Sequence, residues 1–151
     1  MSHIQTIIDD LISIHDGDPW HGPSLKEILS GVTAKQAAAK PLANAHSIWE
    51  LVLHIAAWED VFMRRLAGTQ INEPEEGDFP IITDASEEAW RQALAKFDET
   101  HRGFVEAAAA LTDDRLRETI AGKGYTVEYM LRGVVRHHVY HAGQIALLRK
   151  A

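Results

Sequence analysis

The sequence predicts an all-α domain, a four-helix bundle with a long crossover connection and short extra helical turns after the first helix. Three observations predict it. Four long segments carry apolar residues at spacings of three and four, the period of a helix with one buried face. No stretch shows the strict alternation of a half-buried strand. All five prolines, at positions 19, 23, 41, 74 and 80, fall between those segments, where their missing N–H breaks no helical ladder. With 151 residues the chain fits a single domain over residues 1–151, large enough for a real core.

Helix one is expected from about Ser2 to Asp16, with Ile4, Ile7, Ile8, Leu11 and His15 on one stripe. Asp16-Gly-Asp-Pro-Trp-His-Gly-Pro23 breaks it. Ser24-Leu-Lys-Glu27 and Thr33-Ala-Lys-Gln36 then read as capping boxes for two short turns. A third box, Ser47-Ile-Trp-Glu50, opens helix two, which runs to about Leu66 with Leu51, Ile55, Trp58 and Phe62 on its apolar face and is ended by Gly68. Residues 69–84 are too long for a tight helical hairpin, since such links usually take about 2–8 residues, so a crossover is expected. Helix three, from about Ser86 to Leu111, carries Trp90, Leu94, Phe97, His101, Phe104, Ala108 and Leu111 as an unbroken bundle seam. After a connector over 113–123, helix four runs from about Thr126 to Arg149. Val127, Met130, Val134, Ile145 and Leu148 form its stripe, with Glu128 near its start and Arg149 and Lys150 near its end, as the helix dipole favours.

Composition narrows the function classes. No stretch is long and apolar enough to span a membrane, and the first residues lack the basic-then-apolar pattern of a secretory leader, so a cytoplasmic protein is expected. The absence of cysteine removes disulfides, thiolate metal ligands and a cysteine nucleophile. The net charge of −7 opposes binding to a phosphate backbone, although Arg64, Arg65, Arg132 and Arg136 offer a local basic patch. Glu73, Glu75, Glu76, Asp78, Asp84, Glu87 and Glu88 supply the acidic excess, and they read as a solvated connector and the first turn of the next helix.

Nine histidines are many for this length. In Arg136-His137-His138-Val139-Tyr140-His141-Ala142-Gly143-Gln144, His137 and His141 lie one helical turn apart, a spacing at which two imidazoles share one metal ion. His138 and His141 lie three apart and satisfy the same condition. The apolar stripe centres near His141, with His137 and His138 symmetric about it, so periodicity leaves both pairs open. His54, on helix two beside the Leu51–Trp58–Phe62 arc, is a candidate third ligand that would leave an open position on the ion. Each of these positions equally suits a packing or half-solvated histidine. His101 and His15 fall on core stripes and read as core or core-edge residues, and His3 as surface.

Ser47-Ile-Trp-Glu-Leu-Val-Leu-His54-Ile-Ala-Ala-Trp58-Glu, followed about eighty residues on by His137-His-Val-Tyr-His141-Ala-Gly-Gln144-Ile, resembles the DinB/YfiT superfamily. Trp20-His21-Gly22-Pro23-Ser24-Leu25 resembles one branch of it. The resemblance covers nearly the whole chain. It implies a metal-binding four-helix bundle, often a homodimer, with His54, His137 and His141 as ligands in preference to His138. The metal would be divalent, zinc or nickel, and the activity that of a metal-dependent hydrolase or a thiol-dependent S-transferase using a small thiol such as bacillithiol or mycothiol. A maleylpyruvate isomerase is one such relative, and many relatives have no known reaction. The family name does not imply DNA binding. A non-catalytic metal- or ligand-binding module, stress-related or for dimerisation, is the competing expectation.

Around such a site, Glu50 is a candidate general base, with its capping role the simpler explanation. Trp20 and His21, in the loop after helix one, and Trp58 are candidates for binding a small-molecule substrate, and His46 for reaching the same mouth. Gln144 is a candidate for orienting a ligand by hydrogen bonding. Gly143 costs about 1 kcal/mol in a helix relative to alanine, and a close helix approach would explain it.

Overall fold

The computed structural model describes residues 2–151, which form six α-helices and one short 3-10 turn. Four helices are long: α1 His3–Asp16, α4 Ile48–Leu66, α5 Glu87–Ala109 and α6 Val127–Lys150. Two are single turns, α2 Leu25–Leu29 and α3 Ala34–Ala38, and the 3-10 turn is Arg115–Arg117. No strand occurs among the described residues, only an isolated bridge between Thr119 and Thr126.

Every helix starts where its capping residue predicts. Ser2, Ser86 and Thr126 each accept a backbone N–H from the first turn of α1, α5 and α6. Ser24, Thr33 and Ser47 form complete capping boxes with Glu27, Gln36 and Glu50. Past α4, Gly68 takes φ +92°, a left-handed conformation that stops the helix at little cost only for glycine.

The long helices pack in a closed cycle: α1 touches α5 and α6, and α4 touches α5 and α6. Pairs along α4 and α5 advance together. Trp49 meets Trp90 at 5.1 Å between rings, Glu59 meets His101 at 2.6 Å, and Phe62 meets Phe104 at 6.4 Å between rings. The two helices are therefore parallel neighbours, and the segment joining them must return the length of α4, so the crossover expected from its length is present. The crossover stays close to α4 on the way. Arg65 donates to the carbonyls of Ile71 and Asn72, Arg64 pairs with Glu75, and Trp58 donates to Asp78. With Arg132 held by Glu128, three of the four arginines of the expected basic patch are engaged within the chain, and Arg65 is buried.

The apolar stripes read from sequence line the core. Ile4, Ile7, Ile8 and Leu11 of α1, Trp90, Phe97 and Phe104 of α5, and Val127, Met130, Val134, Ile145 and Leu148 of α6 are all buried. On α4, Leu51 and Ile55 are buried, while Trp58 and Phe62 are only half-buried and stand beside His54 and His137. The core is divided in two. One cluster joins α2 and α3 to the first half of α4 and the end of α6; the other joins α1 to the end of α5 and the start of α6.

Candidate metal centre

His137 and His141 stand one turn apart on α6, and antiparallel packing of α6 on α4 brings His54 against both. The Nε2 of His137 lies 3.0 Å from the Nε2 of His54 and 2.9 Å from the Nε2 of His141. Donors on a tetrahedral ion with bonds of about 2.0–2.1 Å stand about 3.3 Å apart, so three imidazoles in this arrangement need to open by only a few tenths of an ångström to hold a metal.

The far side of two rings fixes their tautomers. His54 Nδ1 donates to the carbonyl of Asp78 at 2.7 Å, and His141 Nδ1 donates to Oε1 of Gln144 at 2.5 Å. Both rings thus carry the proton on Nδ1 and aim the Nε2 lone pair inward. Burial pushes the His137 imidazole down to about 3, and the neighbouring His141 and His54 push in the same direction. His141 is lowered too, chiefly by burial and against its bond to Gln144. At neutral pH His137 is uncharged and has one N–H at most, which cannot serve two inward lone pairs. A cation serves all three, and this chemistry of the donor set fits a divalent metal.

Of the two pairs that periodicity leaves open, the structure brings His137, not His138, to His54 and His141. His138 points to the other side of α6, towards Glu59 and His101. Both flanks of the α6 stripe therefore carry an inward-facing imidazole, His137 half-buried and His138 fully buried, which is why spacing alone could not choose. His101 and His15 are buried, as expected of core residues, and His3 is exposed.

Gln144 sits where an orienting residue should. Replacing it with alanine frees the His141 ring, and loss of such a partner typically lowers metal affinity about 10–100-fold. Titration of metal-free Gln144→Ala with zinc against a competing chromophoric chelator should show that drop, with circular dichroism unchanged. An unaltered affinity would mean that the bond to Gln144 only packs the ring.

The remaining candidates divide. Trp58 is at the site: its ring lies edge-on to His54 at 6.4 Å, and its Nε1 donates to Oδ1 of Asp78 at 2.7 Å. Among the described residues Glu50 pairs with none of His54, His137 and His141; the histidine it faces is His46, at 3.7 Å. Its carboxylate accepts from the Ser47 backbone at 2.6 Å, as the capping box requires, and pairs with Lys40 at 3.0 Å. These bonds hold it below the ordinary carboxylate range despite partial burial, which acts the other way. Trp20 and His21 are exposed and make no hydrogen bond or ring contact with the three histidines among the described residues. His46 reaches the site indirectly, stacked at 3.5 Å on Phe79, which itself stacks at 4.3 Å on His54.

Asp78 and Phe79 are the residues sequence reading missed. They belong to the acidic segment expected to be a solvated connector, yet they fix the tautomer of His54 and cover its ring. Phe79 is an aromatic residue in an otherwise acidic, proline-bounded stretch, and that was the available signal. Gly143 departs from expectation in the other direction. It is exposed, and a Cβ added there would meet nothing within 4 Å beyond its own stretch of helix, so no packing helix of the same chain explains it.

Nothing matches the chain significantly among curated proteins or among solved structures. The sequence profile of the DinB superfamily matches residues 21–145, a span that includes α4, the crossover, α5 and all three converging histidines. The all-helical chain, with three imidazoles that can hold a metal ion between α4 and α6, belongs to the DinB superfamily.

Proposed function

We propose that this protein is a DinB-type four-helix bundle that holds a zinc or nickel ion on His54, His137 and His141 and acts as a metal-dependent enzyme, a thiol-dependent S-transferase or a hydrolase, in the cytoplasm. The observation that carries the reading is the convergence of three Nε2 atoms, two of them with tautomers fixed from outside. Three neutral imidazoles leave the +2 charge uncompensated, and a bound ion would supply Lewis acidity and lower the pKa of a water or thiol.

The chain's own contribution is placement and shielding. Trp58, Phe62, Phe79 and Tyr140 ring the histidines, giving an apolar rim suited to a small organic substrate. Asp78 ties the rim to the site, since its main chain accepts from His54 and its side chain from Trp58. With no cysteine in the chain, a thiol nucleophile would come from a small molecule. Glu50 serves as a cap in this reading, and Trp20 and His21 can take part only if their loop moves. Zinc-loaded protein should consume an electrophilic aryl halide in the presence of a small thiol, or a nitrophenyl ester in its absence, at a rate lost on chelation and restored by metal. Full metal occupancy with neither turnover would favour the binding-module reading.

A homodimer belongs to the same proposal. Tyr129, Tyr140, Gly143 and Leu147 share one exposed face of α6 by helical spacing, with the exposed Arg136 on the same face, and large apolar side chains beside a glycine suit a two-fold contact. Light scattering should give a dimer mass for the native chain and a monomer for Leu147→Glu; equal masses would place the contact elsewhere or remove it.

A further inference from the structure

Within α4, α5 and α6, and at the end of α1, the core turns polar. Each long helix contributes one residue to this layer: His15 from α1, Glu59 from α4, His101 from α5 and His138 from α6. All four are buried, Glu59 and His138 at 0% exposure. The two apolar clusters lie on either side of the layer, one holding Ile14, Ile55, Phe97 and Ala142, the other Leu11, Phe104, Leu131 and Val134.

The layer is not self-satisfied. His101 Nδ1 and Glu59 Oε1 are 2.6 Å apart, and His138 Nε2 lies 3.3 Å from the same oxygen. Yet Glu59 Oε2, His101 Nε2, both ring nitrogens of His138 and His15 Nδ1 are buried without a hydrogen-bond partner among the described residues. Buried polar atoms are nearly always paired, because each left alone costs about 1–3 kcal/mol. Here such atoms gather at one level of the bundle around a carboxylate, the residue type least tolerant of a dry site without a counter-charge.

We propose that Glu59, His101 and His138 form a second divalent-metal site, separate from the three-histidine centre, that takes zinc or a similar borderline cation as a closed structural ion. The donor set suits the ion: two imidazoles and a carboxylate with two oxygens supply up to four donor atoms. One ligand atom from each residue lies within 4.8 Å of the others. The 3.3 Å between His138 and Glu59 is the donor spacing of a tetrahedral ion with bonds of about 2.0–2.1 Å, while the 2.6 Å contact to His101 would have to open. A cation would give Glu59 its counter-charge and employ a lone pair on each ring. His15, stacked flat on His101 at 4.0 Å and held by Asp98 at 2.8 Å, fixes the plane of the His101 ring. His137 and His138 are consecutive, with ring centres 6.2 Å apart, so one turn of α6 serves both sites from its two sides.

Full burial means that the ion enters during folding and leaves only on unfolding. The test is to unfold the untagged chain in denaturant with chelator, remove the chelator, refold with zinc, and count metal by plasma mass spectrometry. The expected result is two ions per native chain and one in His54→Ala/His141→Ala, the latter retained through dialysis against EDTA at neutral pH. Cobalt in that double variant should give the visible ligand-field bands of a low-coordinate site, lost on adding Glu59→Gln. A single ion that persists in the double variant supports the buried site even if the three-histidine centre binds nothing. A native chain with one ion and a helical double variant with none would overturn the proposal, leaving the layer a proton-sharing network, while the three-histidine reading stands. The double variant leaves the buried residues intact, so it decides the matter even if Glu59→Gln fails to fold.

Discussion

His137→Ala should abolish metal binding at the three-histidine centre while leaving the fold intact. His137 is the ring whose Nε2 faces both of the others, at 3.0 and 2.9 Å, so its removal leaves two imidazoles on different helices with no common partner. Loss of an outer hydrogen-bond partner alone costs about 10–100-fold in affinity, and loss of a direct ligand should exceed that. The fold should survive because His137 is only half-buried and, among the described residues, its side chain makes no hydrogen bond outside the trio. Removing it also relieves a cost, since its Nδ1 is buried without a partner. His54→Ala and His141→Ala should lose the ion as well, and they additionally leave the Asp78 carbonyl and Gln144 without their donors. Competition titrations with a zinc-selective chromophore on the three single variants, each checked by circular dichroism, measure this. Native-like affinity in His137→Ala would sink both the metal centre and the enzymatic proposal that rests on it.

How much of this was legible in the sequence follows from how local each feature is. Helix starts are set by one side chain and the amides three residues on, so Ser47 with Glu50 and Thr33 with Gln36 could be read directly. Apolar stripes repeat within one helix and gave the core of α1, α5 and α6. The parallel course of α4 and α5 was implied only by the length of the segment between them, because direction is a property of packing. The choice of His137 over His138 needed the family resemblance, since both flank the stripe and each finds its own cluster, His137 with His54 of α4 and His138 with Glu59 of α4 and His101 of α5. Glu59 escaped notice although it lies seven residues after Val52 and four after Ile55, on the buried face of α4. Its charge argued for solvent, and only the facing His101 and His138 account for its burial. Asp78 was hidden among acids that are identical in type and different in placement.

The metal-free protein should lose stability steeply between about pH 6.5 and pH 4, well before its carboxylates titrate in bulk. His15 is pushed down to about 4, first by burial and then by the neighbouring His101, against the opposing pull of Asp98. His137 is pushed down to about 3, and burial holds His138 well below its ordinary value. The sign follows from counting protons. Below pH 6.5 the unfolded chain binds protons at these rings while the native chain does not, so acid favours the unfolded state. The contribution of each ring is complete above its unfolded value of 6.5 and is lost progressively until the pH reaches its folded value. His15 alone is then responsible for about 3 kcal/mol, against a total stability of about 5–15 kcal/mol for a typical domain. Glu59 works the other way. Burial raises it, so the native state gains its proton earlier than the unfolded chain and recovers part of the loss as pH falls towards 4.5. The histidines outnumber it, and the net slope should remain destabilising. Urea unfolding at half-unit steps from pH 7.5 to 4.5, on chain first unfolded and refolded in chelator so that it carries no ion, should show stability falling towards acid. His15→Asn should shallow that slope by about 1.4 kcal/mol per pH unit, the effect of one proton. A flat profile between pH 7 and 5 would mean that water or a residual ion reaches these rings, and that the polar layer is not a dry interior.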